Sequence, residues 1–213
     1  MKRTFECIRK ASSANIPVFI FGQTGTGKEL VAKACHLESY RCDESFIAVN
    51  CANFSESLME SQLFGHTRGS FTGAVKSQDG LLAAAGKGTL FLDEVTCLPL
   101  PLQAKLLRVI QEREFSAIGS HSPQKFEAQI ISASSTSLRD AVEQNESRED
   151  LFYRLDVISI NLPSLNSRGS DVLLLAEFFL RKFCQLTNKN FQEFSNNAKA
   201  QILKYHWPGN VRQ

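Results

Sequence analysis

Short runs of apolar residues recur along most of the chain, at 18–21, 46–49, 89–92, 129–133 and 157–160. Each has the length of a strand and little polar interruption, the pattern of strands buried on both faces of a parallel sheet. Between them, apolar positions recur at helical spacing. The clearest case is 101–112, which opens on Pro101 and sets Leu102, Leu106, Val109 and Ile110 on one face while Gln103, Arg108 and Gln111 point away. That face is expected to pack on the sheet. After Asn161-Leu162-Pro163-Ser164-Leu165 the strand signals stop, and 171–185 and 195–205 read as helices. The pattern predicts an α/β fold: a parallel sheet with helices on both faces over 1–167, then a small helical subdomain over 168–213.

Between the first apolar run and the helical stretch that follows lies Gly22-Gln23-Thr24-Gly25-Thr26-Gly27-Lys28. Glycines permit a tight turn whose backbone N–H groups point inward at an anion, the next helix adds its positive N-terminal end, and Lys28 adds a full charge. Their convergence makes 22–29 a candidate site for a nucleotide polyphosphate. Glu29 stands where a Ser or Thr hydroxyl usually reaches Mg²⁺, so the loop departs from the strict pattern at its last position. The third run ends in two adjacent carboxylates, Asp93 and Glu94. An apolar strand delivers Asp93 to the ligand crevice at the sheet's carboxyl edge, where it can hold Mg²⁺ directly or through water. Successive strand residues point in opposite directions, which leaves Glu94 to polarise an attacking water. The pair favours hydrolysis over phosphate transfer.

Composition narrows the reading. With 213 residues, 43% of them hydrophobic, the chain can bury the core of one compact domain with a small appendage. The formal charge of +2, from 24 basic and 22 acidic residues, gives no footprint for nucleic acid or anionic membrane. Any DNA contact is expected in a domain outside this chain. Residues 1–10 lack the apolar core of a signal peptide, and the longest apolar stretch, 172–180, is broken by Glu177 and too short to span a bilayer. A soluble, cytoplasmic protein without a membrane partner is expected. Cys7, Cys35, Cys42, Cys51, Cys97 and Cys184 show no Cys-x-x-Cys pair and no metal-ligand spacing with histidine, and read as reduced thiols.

In Gly65-His66-Thr67-Arg68-Gly69-Ser70-Phe71-Thr72-Gly73-Ala74, an aromatic ring and a hydroxyl sit between two glycines, a loop suited to docking on a partner. With this segment, the phosphate loop and Gly88-Thr89-Leu90-Phe91-Leu92-Asp93-Glu94, the chain resembles the central AAA+ ATPase domain of bacterial sigma-54-dependent transcription activators, the enhancer-binding proteins. The docking segment is similar to that family's Gly-Ala-Phe-Thr-Gly-Ala loop, with Ser70 in place of Ala. The resemblance implies that Phe71 and Thr72 engage the sigma factor and move with the nucleotide cycle. Phe46-Ile47-Ala48-Val49-Asn50-Cys51-Ala52 resembles the strand whose terminal Asn, here Asn50, hydrogen-bonds the water-polarising glutamate and switches it. The run 102–115 matches closely, and the family places a second pore-facing loop after it, here at about 113–119. Arg148-Glu149-Asp150-Leu151-Phe152-Tyr153-Arg154-Leu155 resembles the segment that supplies arginine fingers, here Arg148 and Arg154, to a neighbour's ATP, which implies a ring-forming homo-oligomer. Trp207-Pro208-Gly209-Asn210-Val211-Arg212-Gln213 is similar to the lid motif, in which Arg212 reaches the phosphates of its own subunit.

There are departures. Where the family usually has Ala-Thr-Asn, Ala133-Ser134-Ser135 keeps a hydroxyl and loses the amide that senses the γ-phosphate; Gln129 replaces a common Arg, Ser147 an aromatic residue, and Leu82-Ala83 a Phe-Glu pair. The chain is also expected to be part of a longer regulator, with the adenine-closing segment and the DNA-binding domain elsewhere. The resemblance implies an AAA+ P-loop fold and a Mg²⁺-dependent ATPase that, as a ring, remodels sigma-54 RNA polymerase. An ATP-binding oligomerisation module with little turnover stays open beside it: the altered 134–135 pair leans that way, and intact Asp93, Glu94, Arg148 and Arg154 lean against it.

Overall fold

The computed structural model describes residues 2–53, 55–189 and 193–213. Its centre is a five-stranded sheet of β1 (Val18–Phe21), β2 (Phe46–Asn50), β3 (Thr89–Asp93), β4 (Gln129–Ser134) and β5 (Ile158–Asn161). All neighbours are parallel, in the spatial order β2-β3-β4-β1-β5. Every expected strand forms. Their side chains alternate between two cores, as the two-residue period requires. Phe19, Leu90, Leu92 and Ile130 join one core, packed by Leu102, Leu106 and Val109 of the helix Leu100–Glu112. Ile20, Phe91, Ile131 and Ala133 join the other, packed by Ile8 and Ala11 of the helix Lys2–Ser13 and by Val31 and Cys35 of the helix Lys28–Leu37.

Burial on both faces holds for β1, β3 and β4, and not for β2 and β5, each of which has a single buried position. Those two are the edges of the sheet, with one neighbouring strand apiece. Gln103 also departs from expectation. It is fully buried, and its amide donates to the carbonyls of Leu98 and Glu146, both at 2.8 Å, while its Oε1 accepts from the Arg148 N–H at 2.8 Å. A polar residue faces inward because it satisfies backbone groups that would otherwise be buried unpaired.

Beyond β5 the chain turns through Leu165–Arg168 and forms the helices Asp171–Thr187 and Asn196–Lys204. The second starts where Ser195 caps it, its hydroxyl accepting from the Ala198 N–H at 3.3 Å. Parallel register sets up the functional edge. Asn50 lies beside Asp93, Phe21 lies beside Ser134, and the phosphate loop leaves β1 at that same end. Four strand termini therefore open onto one crevice, the usual ligand position in an open parallel sheet.

Candidate nucleotide site

Gly25 and Gly27 hold φ of 80° and 99°, left-handed values that an L side chain resists. At Gly25 a Cβ would also overlap the Gly209 carbonyl oxygen. The Thr26 hydroxyl closes the turn by donating to the Gln23 carbonyl at 2.7 Å. Lys28 opens the next helix with its ammonium buried, donating to the Gly22 carbonyl at 3.0 Å and pairing with Glu94 Oε1 at 3.1 Å.

Asp93 ends β3, and Glu94 follows in the left-handed region at φ 51° and ψ 51°. Strand alternation stops at Asp93; the backbone turn is what sends the two carboxylates apart. A bulky residue held at positive φ is a cost that persists only where its surroundings enforce it. Burial, then the adjacent Glu94, raises the Asp93 carboxyl above its ordinary value against the pull of Lys28. Burial pushes Glu94 up too, but donors outweigh it: the Ser135 N–H at 3.0 Å and hydroxyl at 2.8 Å, both on Oε2, and Lys28 hold it below the ordinary carboxylate value. Asn50 does not bond Glu94 as the resemblance implied. Its amide donates to Asp93 Oδ2 at 3.2 Å, and its Oδ1 accepts from the Ala52 N–H at 2.9 Å. Strand register explains this, since it pairs Asn50 with Asp93 while Glu94 has turned toward the end of β4.

These groups face a cleft of about 590 Å³, whose walls include Thr24, Gly25, Gly27, Lys28, Glu29, Asn50, Asp93, Glu94, Ser135 and Arg212. Gly22, Gln23 and Thr26 are not part of that lining; the Gly22 and Gln23 carbonyls accept from Lys28 and from the Thr26 hydroxyl within the loop. Glu29 reaches the cleft, but its carboxylate pairs with Lys33 one helical turn on at 2.7 Å. The residues fit a magnesium nucleotide: an anion nest at Gly25 and Gly27, a buried ammonium, and an Asp93 carboxylate as the hard oxygen donor. Arg212 is exposed on the wall. Arg148 and Arg154 do not line this cleft. The Arg148 guanidinium is engaged by Asp150 at 3.0 and 2.7 Å, whereas that of exposed Arg154 makes no ion pair among the described residues.

The docking loop projects from a short hairpin, Gly65–His66 with Gln78–Asp79. Phe71 is 44% exposed and Thr72 is exposed, so the ring is outside the core, and it makes an edge contact with the His66 ring at 5.0 Å. Gly69 and Gly73, at φ 81° and 105°, shape the tip. The expected second loop is the first half of another hairpin, Glu114–Phe115 with Gln124–Lys125. Backbone bonds join the two: Thr67 N–H to the Ile118 carbonyl and Ile118 N–H to the Gly65 carbonyl, each 3.0 Å. Three contacts at the site are not visible in the sequence pattern: the Ser135 hydroxyl, retained at the altered 134–135 pair, bonds Glu94, and Asn210, inside the lid motif, and Arg168, at the subdomain boundary, donate to carbonyls of the phosphate loop.

The sheet order, the phosphate loop, the paired carboxylates at the β3 terminus and the helical appendage define a P-loop NTPase of the AAA+ class. The chain belongs to the sigma-54 interaction domain family, whose model matches residues 1–161, with an AAA+ ATPase lid domain matched over 166–213. It is 46% identical over 213 residues to the transcriptional regulatory protein GlrR of Escherichia coli (strain K12), covering all of this chain and 48% of that protein. It is 44% identical over 206 residues to the sigma54-dependent transcriptional activator SfnR of Pseudomonas putida, covering 97% and 56%. The chain thus spans about half the length of the curated relatives it matches. Among solved structures, NtrX from Brucella abortus in complex with ATP superposes with a TM-score of 0.90 at 33% identity, over all of this chain and 46% of that one. No helix among the described residues is long and apolar enough to cross a membrane.

Proposed function

We propose that the chain is the ATPase domain of a cytoplasmic sigma-54-dependent transcription activator. As a ring it converts hydrolysis of ATP to ADP and phosphate into movement of the Phe71–Thr72 loop against sigma-54 RNA polymerase, with DNA binding left to a part of the regulator outside this chain. One observation carries the reading: Lys28, Asp93, Glu94 and Arg212 converge on one cleft while Arg154, with no ion pair among the described residues, stands outside it. Lys28 and the inward N–H groups bind the β- and γ-phosphates. Mg²⁺ on Asp93 would neutralise part of their charge. Lys28 leaves Glu94 Oε1 when it turns to phosphate, while Ser135 keeps Oε2. The freed oxygen then takes the proton of a water that attacks the γ-phosphorus as the bond to the β-phosphate oxygen breaks. Asn50 orients Asp93. Arg212 from the same subunit and Arg154 from a neighbour meet the charge on the transferred group, with Arg148 beside it. Residues 168–213 act as the lid. A module with little turnover is the second reading, and it draws on Glu94, whose two oxygens are both engaged.

The test is to trap the protein with ADP and a phosphoryl transition-state mimic and to offer purified sigma-54. A complex in that state and not with ADP alone is expected. ATP binding with neither measurable turnover nor a trapped complex would overturn the remodelling reading in favour of the second.

A further inference from the structure

Three consecutive carbonyls of the phosphate loop are each held by a donor from beyond β5. The Asn210 amide donates to the Thr24 carbonyl at 3.0 Å, the Val211 N–H to the Gly25 carbonyl at 2.9 Å, and Arg168 Nη2 to the Thr26 carbonyl at 2.8 Å. In a trans peptide the C=O of one residue and the N–H of the next point in opposite directions. Holding the carbonyls of 24–26 therefore aims the N–H groups of Gly25, Thr26 and Gly27 the other way. Thr26 spends its N–H on the Gln23 carbonyl at 3.3 Å. Those of Gly25 and Gly27, both on the cleft wall, have no protein acceptor among the described residues.

The two side chains are fixed in turn. Asn210 is buried at φ 53°, its Oδ1 accepting from the Leu165 N–H at 2.8 Å and its amide also reaching Gln23 Oε1 at 3.3 Å. Arg168 Nε and Nη2 grip the Pro163 carbonyl at 3.1 and 3.0 Å. Neither makes an ion pair among the described residues, and each has main-chain carbonyls as its principal acceptors. We propose that Arg168 and Asn210 are positioning residues for phosphate binding: they set the peptide planes of 24–26, so the anion nest is aimed only while 163–168 and 209–211 are docked behind it. Since coupling between two equilibria is reciprocal, a bound polyphosphate in turn holds the start and end of 163–211 against the loop. The inference rests on the nucleotide reading above and adds the residues that aim its loop.

The test compares the dissociation constants of ATP, ADP and inorganic tripolyphosphate for the whole chain and for two variants. Asn210→Gly tolerates the positive φ and deletes the amide; Arg168→Gln deletes the guanidinium. Each is expected to weaken all three ligands by a similar factor, about tenfold, because the lost aim affects phosphates and not the base. The unliganded melting temperature gauges folding, and Arg168→Lys, which keeps one donor, is expected to recover part of the loss and carries the test if Arg168→Gln unfolds. Unchanged affinity in folded variants, or a loss for ATP with none for tripolyphosphate, overturns the inference. Failure of the unsubstituted chain to bind ATP overturns the nucleotide reading itself.

Discussion

Lys28 and Glu94 neutralise each other across the cleft, with Nζ 3.1 Å from Oε1 and the ammonium almost wholly buried. A buried charge is stable only while a partner offsets its lost hydration, so each side chain supports the other in this state. On the proposed function, an incoming polyphosphate would compete with Glu94 for Lys28, making binding and activation of the base one event. Lys28→Ala is expected to abolish ATP binding, because it removes the ground-state phosphate contact. Glu94→Gln should leave binding intact and stop turnover, since its loss is felt only when water attacks. Equal loss of binding in the two variants, measured by titration with a fluorescent nucleotide, would refute this division.

The exposed tip at Phe71 and Thr72, whose hairpin is bonded to Ile118 of the neighbouring hairpin, is proposed to act on the partner and not on the phosphates. Thr72→Ala should keep most of the ATPase activity and lose the trapped complex with sigma-54. If hydrolysis and sigma binding instead fall in step, the tip is structural.

Ser70, which stands where the family has Ala, holds a buried hydroxyl without a hydrogen-bond partner among the described residues. A buried unsatisfied hydroxyl costs about 1 kcal/mol or more. Ser70→Ala should therefore raise the melting temperature of the nucleotide-free protein by about 2–4 °C. A lowered midpoint would show that the hydroxyl gains a partner in the assembled ring.

The phosphate loop and the Asp93–Glu94 pair are legible in the sequence because their chemistry needs particular residue types next to one another, and the strands because their apolar runs lie in one continuous stretch. What escapes is set by contacts between distant segments. Helical periodicity assigns Gln103 to solvent, yet it is inside because the carbonyls of Leu98 and Glu146 and the N–H of Arg148 need partners there. Asn50 bonds Asp93 because of parallel register, and a left-handed turn at Glu94 is invisible in a strand pattern. Arg168 and Asn210 act across more than a hundred residues of chain.

Arg154 is exposed and makes no ion pair among the described residues, whereas Arg148 is engaged by Asp150; the proposed finger role for a neighbouring site therefore falls first on Arg154. Arg154→Ala should cut turnover by roughly a hundredfold or more, about 2.7 kcal/mol, with ATP binding per subunit mostly kept. Mixing it with Lys28→Ala should restore part of the activity, as one variant offers an intact site and the other an intact finger. No recovery in verified mixed rings would count against a role in trans.

Ser135 donates twice to Glu94 Oε2, through its N–H at 3.0 Å and its hydroxyl at 2.8 Å, while Ser134 is taken up by Thr96 at 3.0 Å. Of the two serines, Ser135 is therefore the one placed to orient Glu94, the proposed base. Ser135→Ala removes one of the two donors and should lower kcat about tenfold, the equivalent of about 1.4 kcal/mol, with Ser135→Thr restoring it. An Asn at this position carries both an NH₂ donor and a carbonyl acceptor on a longer arm, able to hold Glu94 and still reach the attacking water or the γ-phosphate. Ser135→Asn should then raise kcat or strengthen the coupling of hydrolysis to sigma-54 binding. The measurement is kcat at saturating ATP for all three variants, with ring formation verified in each. If Ser135→Ala hydrolyses as fast as the parent, the bond to Glu94 belongs to the resting state alone. If Ser135→Asn brings no gain in either readout, the missing amide is already compensated by the two donors Ser135 supplies.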